Sequence, residues 1–116
     1  MFHPKRCLPI VITLTVLFTF SRLSMAEKSP IRGPGALTCG TWTQDRKNPR
    51  LPPQLAWVMG FISSYNHYTE TEIFGDSDFN AIAGWLDNYC ASHPLDTIYV
   101  GAVRLVEELK KRSLKK

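Results

Sequence analysis

The chain is poor in the residues from which reactive sites are built. It has three cysteines and three histidines in 116 residues, with no CxxC and no HxxxH pair, so the ligand sets of metal centres are missing. The only closely spaced glycines in a loop-like stretch, Gly33 and Gly35, flank Pro34 in an arm and not in a strand-to-helix turn, which excludes a phosphate cradle. Ser63 and Ser64 lie on an apolar helical stretch without the glycine-bounded elbow of a nucleophilic serine. The carboxylate pairs fall in a polar loop (Glu70, Glu72), in a helix cap (Asp76, Asp78) and on an exposed helix face (Glu107, Glu108). General acid chemistry needs an apolar pocket that raises a carboxyl pKa. Neither an enzyme nor a cofactor is expected. No segment sustains the alternation of a half-buried strand, and no apolar run reaches the roughly 20 residues that span a bilayer.

What the N-terminus does contain is a leader pattern. Lys5 and Arg6 precede an apolar run from Cys7 to Phe20, and Ser24-Met25-Ala26 places small residues at −3 and −1 of a cleavage point. A basic start, a short apolar run and a small-x-small end define a secretory signal peptide over 1–26, and with it a periplasmic or secreted destination without stable membrane insertion after cleavage. The formal charge of +4 includes Lys5, Arg6 and Arg22, so cleavage leaves +1. Lys110, Lys111, Arg112, Lys115 and Lys116 form a basic end, while residues 27–109 hold six basic and ten acidic groups. A nucleic-acid binder carries its basic charge across the fold, so nucleic acid is not an expected partner. The basic end has two readings, a contact for anionic lipid or an acidic partner, and a solvated helix end.

Cys7 leaves with the leader, and only Cys39 and Cys90 remain to pair in an oxidising compartment. Their bridge closes a loop worth about 4 kcal/mol in the chain-entropy view.

The rest of the chain reads as an extended arm (27–37), a helical domain (38–112) and a basic tail (113–116). Thr38 is the N-cap of a short helix reaching about Lys47, stopped by Asn48–Pro53. Pro52 and Pro53 lead into a second helix over 54–68, where Leu55, Val58, Ile62 and Tyr65 form one stripe and Trp57, Phe61 and Tyr68 another. It is apolar on so many sides that it reads as the buried centre of a bundle, with Gly60 allowing close approach of a neighbour. Asp76 or Ser77 caps a third helix whose stripe is Phe79, Ile82, Ala83, Leu86, Tyr89 and Cys90, ending before Pro94. A fourth runs from Leu95 to about Arg112. The expected fold is therefore all-α, a small domain of three to four helices with the disulfide tying the first to the third.

Trp42, Phe74 and Trp85 are the candidate protein-binding residues, since aromatics outside a core mark partner surfaces; the competing reading is a broad core that contains them. His67 and His93, each near a helix C-terminus, are the candidate pH sensors, against the reading of two ordinary surface histidines.

Thr38-Cys39 at the first short helix, the apolar helix 54–68, Cys90 late in the third helix and a final helix ending in lysines together resemble the HdeA/HdeB type of acid-stress chaperone. The stretch Trp85-Leu86-Asp87-Asn88-Tyr89-Cys90, followed by Pro94-Leu95, is also similar to periplasmic immunity proteins that neutralise type VI secretion effectors. The first resemblance implies a non-enzymatic chaperone or stress protein, folded and often a homodimer at neutral pH, that binds unfolded proteins in acid. The second implies one dedicated protein partner, and a structural envelope component is a further alternative. Mass spectrometry of the exported protein is expected to find Glu27 as its first residue, with Cys39 and Cys90 oxidised.

Overall fold

A computed structural model of the protein describes residues 30–116; the expected leader and the first residues of the arm lie outside the described residues. A 3-10 turn (Gly33–Ala36) precedes four helices: α1 (Cys39–Asp45), α2 (Pro53–Thr69), α3 (Phe79–Ser92) and α4 (Ile98–Leu114). No strand occurs among the described residues; the only pairing of that kind is an isolated antiparallel bridge between Thr38 and Thr97.

Each helix starts where local chemistry satisfies its first N–H groups. Thr38, Asp78 and Thr97 are the N-caps of α1, α3 and α4, their side chains accepting from Thr41, Ala81 and Val100. Such caps are each worth about 1 kcal/mol. The α3 cap is thus Asp78, one residue after Ser77 and two after Asp76, because both of these belong to the preceding turn. Pro53 opens α2, where the missing N–H of proline has no consequence. Glu70 ends that helix in the left-handed region (φ 52°), an uncommon conformation for a residue with a Cβ.

One core gathers the apolar faces. Cys39 and Trp42 from α1, Leu55, Val58 and Ile62 from α2, Ile82, Leu86 and Cys90 from α3, and Ile98, Ala102, Leu105 and Leu109 from α4 are buried together, with Ile73 of the α2–α3 loop. The Cys39–Cys90 disulfide ties α1 to α3 across 51 residues, with a Cα separation of 4.8 Å. The carbonyls of Asp96 and Pro94 accept the N–H groups of Cys39 and Gly40 at 2.8 and 3.0 Å, so the α3–α4 turn caps the start of α1.

Several local expectations change. α2 is not enclosed: Ala56, Gly60, Ser63, Ser64 and His67 form an exposed face, and nothing lies within contact distance of a Cβ placed at Gly60. Tyr65 is half-buried, and Tyr68 is 84% exposed. Leu95 sits in the turn before α4, 90% exposed, because Pro94 and Asp96 delay that helix to Ile98. Phe79, at the first turn of α3, is half exposed. α4 continues through Leu114, so the first half of the expected basic tail is helical, and Lys116 reaches Asp76 at 3.3 Å. The arm is not simply extended either: Gly33–Ala36 turns over the indole of Trp57.

Replacing both Cys39 and Cys90 by serine is expected to lower stability by about 2–5 kcal/mol, measured by denaturant unfolding.

Candidate functional site

The fold places its polar and aromatic groups in four settings. The first is a clamp between α1 and α3. Asp87 Oδ1 accepts the indole N–H of Trp42 at 2.9 Å and Arg46 Nε at 2.8 Å, while Arg46 Nη2 donates to Oδ2 at 2.8 Å. The Arg46 guanidinium lies over the Trp42 ring, 5.5 Å from its centroid. Trp42 and Arg46 are four residues apart on one short helix, so both present to the same carboxylate. The guanidinium, aided by the indole N–H, holds the Asp87 carboxyl below its ordinary value, although partial burial opposes this.

Trp42 was expected to meet partners; instead it is fully buried. The disulfide next along α1 turns this helix face inward, and Asp87 uses the one polar atom of the indole. Trp42 is a structural residue.

The second setting is a ladder on α3. Trp85 stacks on Tyr89 (centroids 5.2 Å apart) and Tyr89 stacks on His93 (4.3 Å), at i, i+4 and i+8. Gly101 of α4 admits the Tyr89 ring, whose hydroxyl donates to Asp96 at 2.5 Å. Burial, with the Asp96 hydrogen bond, pushes the phenol up to about 12. His93 is the C-cap residue of α3, and its Nδ1 lies 2.9 Å from the Tyr89 carbonyl. Trp85 is half-buried in this stack.

The third is a groove of about 490 Å³ where the α2–α3 loop meets the end of α4. Ile73, Phe74 and Leu109 supply its apolar side, and Arg112, Lys116 and Asp76 its rim. Phe74 is half-buried against the core. The rim charges are already engaged: Arg112 pairs with Glu108 at 2.9 Å and Lys116 with Asp76.

The fourth is the open face of α2, a shallow groove of about 400 Å³ lined by Ala56, Trp57, Gly60, Phe61 and Ser64. The seventeen residues of α2 include no Asp, Glu, Lys or Arg. His67 is exposed in its last turn, edge-on to Tyr68. Side-chain hydrogen bonds tie α2 to its neighbours: Asn66 Oδ1 accepts the Ile73 N–H at 3.2 Å, Thr69 Oγ1 meets Thr71 Oγ1 at 2.6 Å, and two others end on carboxylates. Gln54 Nε2 donates to Asp45 at 2.7 Å, and Asn66 Nδ2 to Glu72 at 3.3 Å. Gln54 is wholly buried, and its Oε1 has no partner among the described residues.

The three aromatics singled out from the sequence therefore occupy three different settings, and the two histidines lie at the ends of two different helices. Sequence reasoning missed Arg46 and Asp87, although an arginine four residues after a tryptophan on a short helix was a readable signal. It also missed Trp57 as a surface element. Among the described residues, no group of three or more His, Cys, Asp or Glu side chains is arranged to hold a metal ion. Comparison with protein-family models, curated proteins and solved structures found no match to this chain.

The clamp fixes a pH dependence. The folded Asp87 pKa lies below the ordinary 3.8, so its stabilisation is complete above that value and is lost as pH falls through the lower, folded one. Both partners are more than a third exposed, which limits the ion pair itself to about 1 kcal/mol. Asp87→Ala also strands the buried Trp42 N–H, so a total loss of about 1–3 kcal/mol is expected at pH 7. Asp87→Asn should flatten the stability–pH curve below pH 4 in urea unfolding.

Proposed function

We propose that the chain is an exported, non-enzymatic binding protein that engages other proteins through apolar surface uncovered in acid, a chaperone or stress protein of the HdeA type. The observation that carries this reading is the character of α2. It is apolar, free of formal charge and open on one face, and two of its side-chain tethers, at Gln54 and Asn66, end on carboxylates. A carboxylate that becomes protonated loses the strength of a charged acceptor.

Acid acts on the whole chain as well as on these tethers. With its carboxylates neutral and His67 and His93 charged, the chain after the expected cleavage carries +13 in place of +1. Self-repulsion of that size destabilises a compact state. The disulfide survives acid and keeps α1 on α3. α2 has no such tie, so it is the element that loosens, and its buried stripe (Leu55, Val58, Ile62) becomes the surface offered to clients.

The open face of α2 at neutral pH favours a second reading, a module with one dedicated partner of the immunity type. The uncharged groove beside Trp57 and Phe61 would then be the docking surface.

A pH titration of the oxidised protein with an aggregation-prone client separates the two. The chaperone reading expects apolar dye binding and loss of near-UV ellipticity below about pH 3, where carboxylates protonate, together with suppression of client light scattering. A chain that keeps its tertiary signal at that pH, or loosens without protecting the client, overturns it in favour of a neutral-pH partner.

A further inference from the structure

The arm holds itself to the bundle in an unusual way. Pro30 to Ala36 cross α2 and α4, yet among the described residues no hydrogen bond joins this segment to either helix. Its internal bond is Leu37 N–H to the Pro34 carbonyl, at 3.2 Å. What seats it is Gly35, buried flat on the indole of Trp57: a Cβ there would fall inside the envelope of the indole Cε2, Cζ2 and Cη2 atoms. Gly33, at φ +72°, makes the turn that lays Gly35 down. The attachment becomes polar only beyond Ala36, where Ile98 N–H donates to the Leu37 carbonyl at 2.8 Å and Thr38 bridges to Thr97. A segment held on α2 and α4 by packing, without a hydrogen bond to either helix among the described residues, and hinged at a hydrogen-bonded end can lift as a unit.

The Trp57 ring beneath it belongs to a continuous aromatic array. Trp57 stacks on Phe61 at 5.5 Å, and Phe61 meets Tyr99 of α4 edge-on at 5.8 Å. Trp57 and Phe61 also line the open groove on α2. Lifting the arm would join the covered side of Trp57 to that groove, on a helix without formal charge.

We propose that residues 30–36 are a releasable strap over a recognition surface made by Trp57, Phe61 and Tyr99, and that the ligand of this surface is a glycine- and proline-bearing turn segment of another protein chain. The strap itself shows the chemistry the surface accepts: a turn whose contact residue has no side chain, set against an indole face that proline and glycine backbones pack on readily. The identity of the ligand as a stretch of unfolded client rests on the function proposed above, whereas the strap does not.

The test uses the exported, oxidised protein labelled with 5-fluorotryptophan, with the Trp57 fluorine resonance assigned through Trp57→Phe. Gly35→Ala overpacks the contact and should raise the strap-open population about tenfold. The Trp57 resonance is expected to move toward the solvent-exposed position while those of Trp42 and Trp85 stay in place. A peptide of residues 31–37 added to this variant should return the Trp57 resonance to its covered position, and the same peptide carrying Gly35→Ala should not. A Trp57 resonance that does not move, a variant in which the Trp42 resonance collapses with it, or a peptide without effect overturns the proposal. The fluorine signals involve no client, so they stand apart from the acid-protection assay that tests the proposed function.

Discussion

The disulfide between Cys39 and Cys90 is the constraint from which the rest of the arrangement follows. α1 has seven residues, far fewer than an isolated helix needs to persist in water. It exists because one end is bonded to α3, its first N–H groups are taken by the α3–α4 turn, and Trp42 is enclosed between them. The Arg46–Asp87 clamp then closes the far end of the same short helix. α1, α3 and α4 thereby meet at one corner that is covalent, capped and hydrogen-bonded.

α2 stands outside this corner. It contributes Leu55, Val58 and Ile62 to the core and receives apolar packing in return, together with two bonds to carboxylates and the strap over Trp57. The covalent tie and the capping bonds are therefore concentrated at the three-helix corner, whereas α2 is held chiefly by packing. Binding elements are drawn from the least protected parts of a fold, because they have to change their contacts to act. A disulfide that binds one side of the bundle and leaves the other to weak forces gives a chain that can loosen without dispersing.

Much of this was readable in the sequence. Helical spacing of apolar residues locates α2, α3 and most of α4, Thr38 is a recognisable cap, and the two cysteines outside the expected leader admit one pairing. The failures have physical causes. α2 is apolar nearly all round, so its pattern could not say which side faces water, and it was read as enclosed. Leu95 fits the periodicity of the last helix, but local turn chemistry at Pro94 and Asp96 prevailed over it. The burial of Trp42 depends on where Asp87 arrives from 45 residues away, and the seating of Gly35 on Trp57 depends on a turn 22 residues upstream. Neither leaves a local trace.

The bridge between Thr38 and Thr97 has a kinetic meaning. It joins two N-cap residues, so α1 and α4 start from one point even though 59 residues separate them in the chain. Long-range closure of this kind is the slow step for a small domain, since the entropy of the loop is lost before any contact offsets it. Once Cys39 is bonded to Cys90, however, Thr38 is tethered seven residues from Thr97 along the chain, and the remaining search becomes local. Oxidation thus places the two caps within a short loop of one another, so the long closure is made once, by the disulfide, and not again by the bridge.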